Sequence, residues 1–182
     1  MLINREYHPE VVAPRDPLNY VLRFAYIVDK LPEPYQAAGG WLIATDGCIA
    51  MFAPVELAAG DKLGVVRADL CQLARRAGGK GDLRIRLGSR HIKTADGIIY
   101  PRRMDLNNDP KTKYPDLGVL LSKLSTAVVP AGWANFKVGQ LTRLLKGLGA
   151  ETATLEFHGD GPCRVKVVNN THGFGLIMPV RG

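Results

Sequence analysis

The sequence of 182 residues has little of what marks a membrane, secreted or disulfide-stabilised protein. No stretch approaches the roughly 20 consecutive apolar residues that a membrane span needs. Residues 1–14 are interrupted by charged side chains and lack the apolar stretch of a signal peptide, so we expect a cytoplasmic protein. The three cysteines, Cys48, Cys71 and Cys163, are far apart and include no CxxC pair, which disfavours a disulfide framework or a zinc site.

Signals of catalysis are also missing. The four histidines do not occur in the HxH or HExxH spacing that places two metal ligands on one face. The chain contains neither GxGxxG nor GxxxxGK, the glycine-rich loops that hold nucleotide phosphates. Asp105 and Asp109 flank two asparagines in a polar loop and do not form the acidic cluster of a two-metal site. We therefore expect no enzyme activity, no metal and no cofactor.

The positive charge is concentrated in the middle of the chain. Residues 1–61 hold 4 Lys or Arg against 8 Asp or Glu, and residues 114–182 hold 7 against 4. Residues 62–113 hold 13 against 5, a net charge of +8. Such a concentration favours a polyanionic partner, because Lys and Arg that neutralise phosphates release counterions. The same charge also fits a solvated basic face without a partner.

The first segment is predicted to be a helix followed by a hairpin. Pro17 suits a first helical turn, and the spacing of the apolar residues after it predicts a helix that runs to Val28 and ends before the prolines at 32 and 34. Two apolar runs, Trp41–Thr45 and Cys48–Phe52, then flank Asp46 and Gly47, which predicts a tight hairpin. A leading strand of this segment would have to lie within Met1–Val12.

The middle and last segments follow one plan of strand, helix and strands. The middle segment has predicted strands at Lys62–Arg67, Leu83–Leu87, His91–Ala95 and Ile98–Tyr100 and a helix from an N-cap at Asp69 to Ala77. The last segment has predicted strands at Asn135–Val138, Thr152–His158, Arg164–Val168 and Phe174–Met178 and a helix that ends at Gly149. A shift of 71 residues aligns Leu70–Gly78 with Leu141–Gly149, which indicates an internal duplication.

Three motifs resemble the bacterial DNA polymerase III β sliding clamp family. Ala44–Ala50 (ATDGCIA) is similar to the ATDGHRLA hairpin of the family, and Tyr114–Leu117 (YPDL) is similar to its FPDY sequence. Leu176–Gly182 (LIMPVRG) is similar to its terminal VVMPMRL. Two departures are that Cys48-Ile49 stands where the family has His-Arg and that Gly182 replaces a terminal Leu.

The resemblance implies an α+β DNA-clamp fold, in which helix-plus-sheet halves form a ring with the helices around the hole. Domain boundaries on this plan are a diverged first half at 1–57, a second half at 58–121, a linker at 122–134 and a third half at 135–182. Bacterial clamp chains carry six halves, so this chain would be a shortened form of the kind a phage or mobile element encodes. A ring of about twelve halves would then need four copies of a three-half chain, with a trimer or hexamer if the count of halves differs.

The resemblance also implies two sets of functional residues. Cations on the helices would face double-stranded DNA through loose phosphate contacts; the candidates are Arg23, Arg75, Arg76, Lys80, Arg143 and Lys146. An apolar pocket would take short peptides of the polymerase and the clamp loader; the candidates are Thr45, Gly47, Ile49, Pro115, Val119, Leu176, Met178 and Pro179. Two other functions stay open, a clamp-derived adaptor or inhibitor that does not encircle DNA and a plain basic DNA-binding domain.

Overall fold

The computed structural model describes residues 1–13, 22–33, 35, 39–102, 119, 121, 124, 134–159, 161–168 and 173–180. The α-helices in these residues are α1 (Pro9–Val12), α2 (Leu70–Arg76) and α3 (Val138–Gly147). The strands are β1 (Leu2–Ile3), β2 (Phe24–Val28), β3 (Gly40–Thr45), β4 (Ile49–Glu56), β5 (Gly64–Arg67), β6 (Leu83–Leu87), β7 (His91–Thr94), β8 (Ile99–Pro101), β9 (Ala153–Glu156), β10 (Cys163–Val167) and β11 (Phe174–Ile177).

The described strands form one antiparallel sheet that branches at β4. Its main path runs β5-β2-β3-β4-β1-β6-β7-β8. Short β1 joins the first two segments, since Leu2 is the register partner of both Glu56 on β4 and Arg84 on β6. The last segment enters through β11, which pairs with the beginning of β4 and is followed by β10 and β9. All three segments therefore share a single sheet.

The three helices pack on the same side of this sheet, which we call the helix side. Val12 of α1, Leu70 and Ala74 of α2, and Leu144 of α3 lie in one apolar core with the inward residues of the strands. Helix α1 contacts both α2 and α3. Burial of one Leu or Ile side chain contributes about 1.5–3 kcal/mol, so this shared core accounts for the docking of helices as short as α1.

The opposite face of the sheet, the outer side, is covered over β3, β4 and β11. Trp41 and Phe52 project there and pack with Phe174 in a second apolar cluster. Leu31, Tyr35, Leu121 and Leu124 cover this cluster from outside. Both faces of β3 are therefore buried, which explains its uninterrupted apolar sequence. Strands β6 and β7 differ, because their outer residues are exposed.

The predicted hairpin and helix ends are confirmed. β3 and β4 flank a turn in which Gly47 has a φ of 90°, a conformation that suits glycine. α2 begins directly after Asp69, although this carboxylate accepts two hydrogen bonds of 2.8 Å from Arg67 and does not cap the helix. Gly149 follows α3 with a φ of 65° and lies against Glu6, whose carbonyl oxygen would be 2.6 Å from an added Cβ.

The predicted helix over 17–28 is wrong in its second half, and residues 14–21 lie outside the described part. Residues 24–28 form β2, with Ala25 and Ile27 buried and their neighbours half-buried. This two-residue alternation lets β2 pair with both β3 and β5. The helix of the first segment is instead α1, and β1 confirms that the leading strand lies within Met1–Val12.

The predicted strand over Asn135–Val138 is also wrong. Asn135 forms a single bridge to Val180, whose amide donates to the Asn135 carbonyl at 2.7 Å. Val138 already begins α3 and is 78% exposed. The other predicted strands from 62 onward are present with ends shifted by one or two residues.

Candidate functional site

The candidate DNA contact Arg75 has internal partners. Its guanidinium donates hydrogen bonds of 3.0 Å to the carbonyls of Arg5 and Tyr7. It lies 2.9 Å from Nδ1 of His8 and forms a salt bridge with Glu10, in which both side chains are 17% exposed. Arg75 thus ties α2 to the segment that contains α1, and few of its donors remain for a phosphate.

Arg143 has a similar internal role on α3. Its guanidinium donates to the carbonyls of Val11 and Val12 at 3.2 and 2.6 Å, which are orphan acceptors at the end of α1. A third bond of 2.9 Å reaches Oδ2 of Asp46 in the β3–β4 turn. The positive charge of Arg143 at the C-terminal end of α1 also interacts favourably with the negative end of the helix dipole. Arg143 therefore joins α1, α3 and the hairpin.

The remaining cations of the predicted DNA-facing set differ in exposure. Arg76 and Lys80 are exposed at the end of α2 and in the loop after it, and Lys146 is exposed at the last position but one of α3. Arg23 is half-buried in a 3₁₀ turn directly before β2, so it does not lie on α1, α2 or α3. Among the described residues, Arg76, Lys80 and Lys146 have no ion-pair partner, so they are the exposed cations that this set keeps on α2, on α3 and in the loop after α2.

The β3–β4 turn is fixed by its own side chains. The Thr45 hydroxyl donates to the carbonyl of Ile49 at 2.7 Å and accepts from the amide of Gly47 at 3.1 Å. Oδ1 of Asp46 accepts from the amides of Cys48 and Ile49 at 2.8 and 2.9 Å. Because its other oxygen holds Arg143, the Asp46 carboxylate couples the turn to α3. The Thr-Asp-Gly sequence therefore encodes a rigid, oriented hairpin end.

The hairpin lies directly beside the end of the chain that the structure describes. Leu176 is the register partner of Ala50, and the amide of Met178 donates to the carbonyl of Cys48 at 3.0 Å. Two of the three motifs, separated by about 130 residues of sequence, are thus brought into contact. Pro115 of the third motif lies outside the described residues, whereas Val119 is described and 47% exposed.

Side-chain direction divides the predicted pocket residues. Thr45 and Leu176 project to the outer side and are 3% and 2% exposed, and Met178 continues the alternation of Leu176 and is 40% exposed. Ile49 instead points into the core on the helix side and is 1% exposed, so it cannot line a pocket on the outer side. Ala50 takes that position, which the two-residue period of a strand could have indicated. We call Thr45, Ala50, Leu176 and Met178 the tail surface.

An aromatic cluster supports the tail surface from within the outer side. The rings of Phe52 and Phe174 stack at 4.6 Å, and Trp41 meets Phe174 edge-on at 5.5 Å. The guanidinium of Arg164 lies 4.9 Å from the ring centres of both Tyr35 and Phe174. Such aromatic and cation–π contacts contribute about 0.5–1.5 kcal/mol each and hold β11 against β4. Sequence periodicity gave no sign of this cluster, because its members come from distant segments.

A sheet to which each segment contributes a helix followed by strands, with α1, α2 and α3 on one side, is the architecture of the DNA sliding clamp fold, and solved structures confirm that this chain has it. The DNA polymerase III β subunit of Caulobacter crescentus matches with a TM-score of 0.66 and 12% identity. The DNA polymerase sliding clamp of Pseudomonas aeruginosa matches with 0.63 and 15%, and the β subunit of Borrelia burgdorferi with 0.61 and 14%.

These matches cover 100% of this chain but 62–66% of the clamp chains, so the chain spans less than two thirds of their length. Neither the family models nor the curated protein sequences that were compared give a match. Within the part of the chain that the structure describes, no helix has the length and apolar character to cross a membrane.

Proposed function

We propose that the chain is the subunit of a DNA sliding clamp, a ring that surrounds duplex DNA and tethers replication proteins without chemistry of its own. The observation that supports this most is the clamp fold along the whole chain, with the helices on one side of the sheet. Arg76, Lys80 and Lys146 are the exposed cations that would contact phosphates there. Such contacts are independent of sequence and allow sliding. A replication role would also place the protein in the cytoplasm.

Ring closure would use unpaired strand edges. Among the described strands, β8 pairs only with β7, and β9 pairs only with β10. An open edge presents amides and carbonyls that another chain can pair with. The third end of the sheet is less open, because Arg102 donates to the carbonyls of Lys62, Leu63 and Val65 along β5. A head-to-tail contact of β8 with β9 of the next copy would close a cyclic ring.

Three segments per chain favour four chains in that ring. If the first segment does not act as a half, each chain contributes two halves and a ring of about twelve halves needs six chains. If the chain contains an additional half, the ring needs three chains. The cyclic tetramer is the assembly that we propose.

The tether would be the tail surface. Its Met178 is exposed and offers an apolar contact to a short peptide of a polymerase or loader. Val180, two residues further on, and Val119 are also exposed apolar side chains. Met178→Asp should abolish binding of such a peptide and leave the protein folded, because this side chain is 40% exposed. Val168→Asp is the matched control, since Val168 is 45% exposed at the end of β10. Equal peptide affinity in both variants would contradict this assignment.

Encirclement can be tested on linear duplex DNA with biotin at both ends. The protein is added first, streptavidin then blocks the ends, and excess unlabelled duplex competes for any protein that dissociates. A ring stays on the blocked duplex and leaves an open one, whereas a protein that binds from one side leaves both at the same rate. The same rate of loss from blocked and open DNA would overturn the sliding clamp.

A clamp-derived adaptor is the second candidate. Two of the basic residues expected to face DNA, Arg75 and Arg143, are used inside the protein. This lowers the positive charge available on the helix side. An adaptor would keep the fold and the tail surface but remain a monomer or dimer that does not encircle DNA.

A further inference from the structure

Part of the positive charge of the middle segment lies on the side of the sheet opposite the helices. Along β6 and β7, Leu83, Ile85, Leu87, Ile92 and Thr94 are buried, and the residues between them are exposed. Helix α2 packs on the buried face, so the exposed residues face the outer side. Arg84 and Arg86 on β6 and Lys93 on β7 form what we call the outer basic strip.

The charges of this strip have no ion-pair partners among the described residues. Arg86 and Lys93 are direct register partners, so two like charges face each other across the ladder. Like charges in this position destabilise a sheet. Glu56 on β4 is exposed, but Leu2 of β1 lies between it and Arg84 on β6, so the two charges are two strands apart. A second carboxylate of this region, Asp61, is held by the ammonium of Met1 at 2.5 Å.

The equivalent position in the last segment is neutralised, which shows that the fold does not require the like-charge pair. The loop between helix and strand is one residue shorter in the last segment, so Glu156 follows the inward Leu155 on β9 as Arg86 follows the inward Ile85 on β6. Glu156 is the register partner of Arg164 on β10, and it forms a salt bridge of 2.6 Å with Lys166. The middle segment therefore keeps an electrostatic cost that its sister segment avoids.

An open depression of about 1010 Å³ adjoins the strip. Arg84, Arg86 and Lys93 line it together with the apolar Leu2 and Leu57 and with the carboxylates of Glu56 and Asp61, the second of which is paired with the Met1 ammonium. Its cations suit phosphate groups, since an Arg guanidinium can donate two parallel hydrogen bonds to one phosphate. Its apolar floor gives unpaired bases a surface that a duplex, with its bases stacked inside, does not use.

We propose that the outer basic strip binds the phosphate backbone of single-stranded nucleic acid. This site is separate from the helix side that would surround a duplex, and it is independent of ring formation. An anionic strand along β6 and β7 offsets the repulsion between Arg86 and Lys93. The proposal also assigns a function to Arg84, Arg86 and Lys93, which do not face the hole of the proposed ring.

The test compares two variants that each remove three positive charges. The strip variant carries Arg84→Gln, Arg86→Gln and Lys93→Gln; the control carries Arg76→Gln, Lys80→Gln and Lys146→Gln on the helix side. The probes are a labelled oligothymidylate and a labelled duplex, with fluorescence anisotropy measured over a range of salt concentrations. Thermal unfolding of both variants verifies that they are folded.

We expect the strip variant to bind oligothymidylate much more weakly than the wild type and the control to bind it as the wild type does. The slope of log affinity against log salt should fall by about 2 in the strip variant, at about 0.7 for each single-strand phosphate contact. Association with the duplex should weaken only in the control, so the two proposals can fail separately. The proposal is overturned if the wild type does not bind oligothymidylate or if both variants lose it equally. The proposal is also overturned if the strip binds the duplex with the same affinity as oligothymidylate, or if it binds polyglutamate more tightly than oligothymidylate.

Discussion

Arg75 and Arg76 are adjacent residues of one type on α2, and the structure gives them opposite roles. The Arg75 guanidinium bonds the Arg5 and Tyr7 carbonyls and pairs with Glu10, and both partners of this pair are 17% exposed. Arg76 is exposed at the last position of the helix. We therefore predict that Arg75→Gln destabilises the fold and that Arg76→Gln does not.

The magnitude follows from the groups that Arg75 leaves behind. Removal of one partner of a buried ion pair costs about 3–5 kcal/mol, and the partial exposure of this pair favours the lower end. Oε2 of Glu10 is already buried without a hydrogen-bond partner among the described residues, so the carboxylate would lose its main compensation. We expect a loss of about 3 kcal/mol, which in a chain of this size lowers Tm by about 6–12 °C.

The assay is urea and thermal unfolding of both variants beside the wild type. Arg76→Gln should stay within about 0.5 kcal/mol of the wild type, as exposed substitutions usually do. It should weaken duplex binding instead. Equal stability of the two variants would refute the internal role of Arg75, which would then again be a candidate for DNA contact.

Three further predictions concern separate parts of the molecule. Gly149→Ala should lower the stability of the protein in thermal unfolding more than Gly159→Ala does. Both glycines have a φ of 65°. Of the two, only Gly149 has backbone close by, because an added Cβ would lie 2.6 Å from the Glu6 carbonyl oxygen. Asp61→Asn should flatten the acid side of the stability–pH curve. Burial alone would raise the pKa of Asp61, but the Met1 ammonium and two backbone amides lower it overall, so its stabilisation is present above about pH 4 and is lost as pH falls further. Arg86→Glu should raise the free energy of unfolding by about 0.2–1 kcal/mol, because it replaces a like-charge pair with an opposite one, and should weaken oligothymidylate binding; lower stability would contradict the repulsion.

Sequence patterns predict the elements whose causes are local. The Asp46-Gly47 turn needs only its own side chains and a glycine with positive φ, and both are visible in the sequence. The helix followed by strands, which recurs in the middle and last segments, was visible for the same reason. Residues 21–28 satisfy both the helical and the strand period, however, and their pairing with β3 and β5 decides for the strand. A pattern in one segment carries no information about such partners.

The candidate site was predicted in part for a related reason. Motif order brought Thr45, Leu176 and Met178 together, and the structure confirms that their segments are adjacent. Helical spacing predicts which side of a helix is polar, but it does not reveal that α1 covers Arg75 and contacts Arg143. The alternation along Leu83–Leu87 indicates that Arg84 and Arg86 share one face, but only the position of α2 reveals that this face is the outer side.

The mass of the assembly in solution tests the sliding clamp most directly. Native mass spectrometry or light scattering at micromolar concentration should find a cyclic tetramer of about 79 kDa, since each chain has a mass of 19.8 kDa. A trimer or hexamer would keep the ring and correct the number of halves per chain. A species of 19.8 kDa that remains a monomer even with duplex DNA present would contradict the clamp and favour the adaptor.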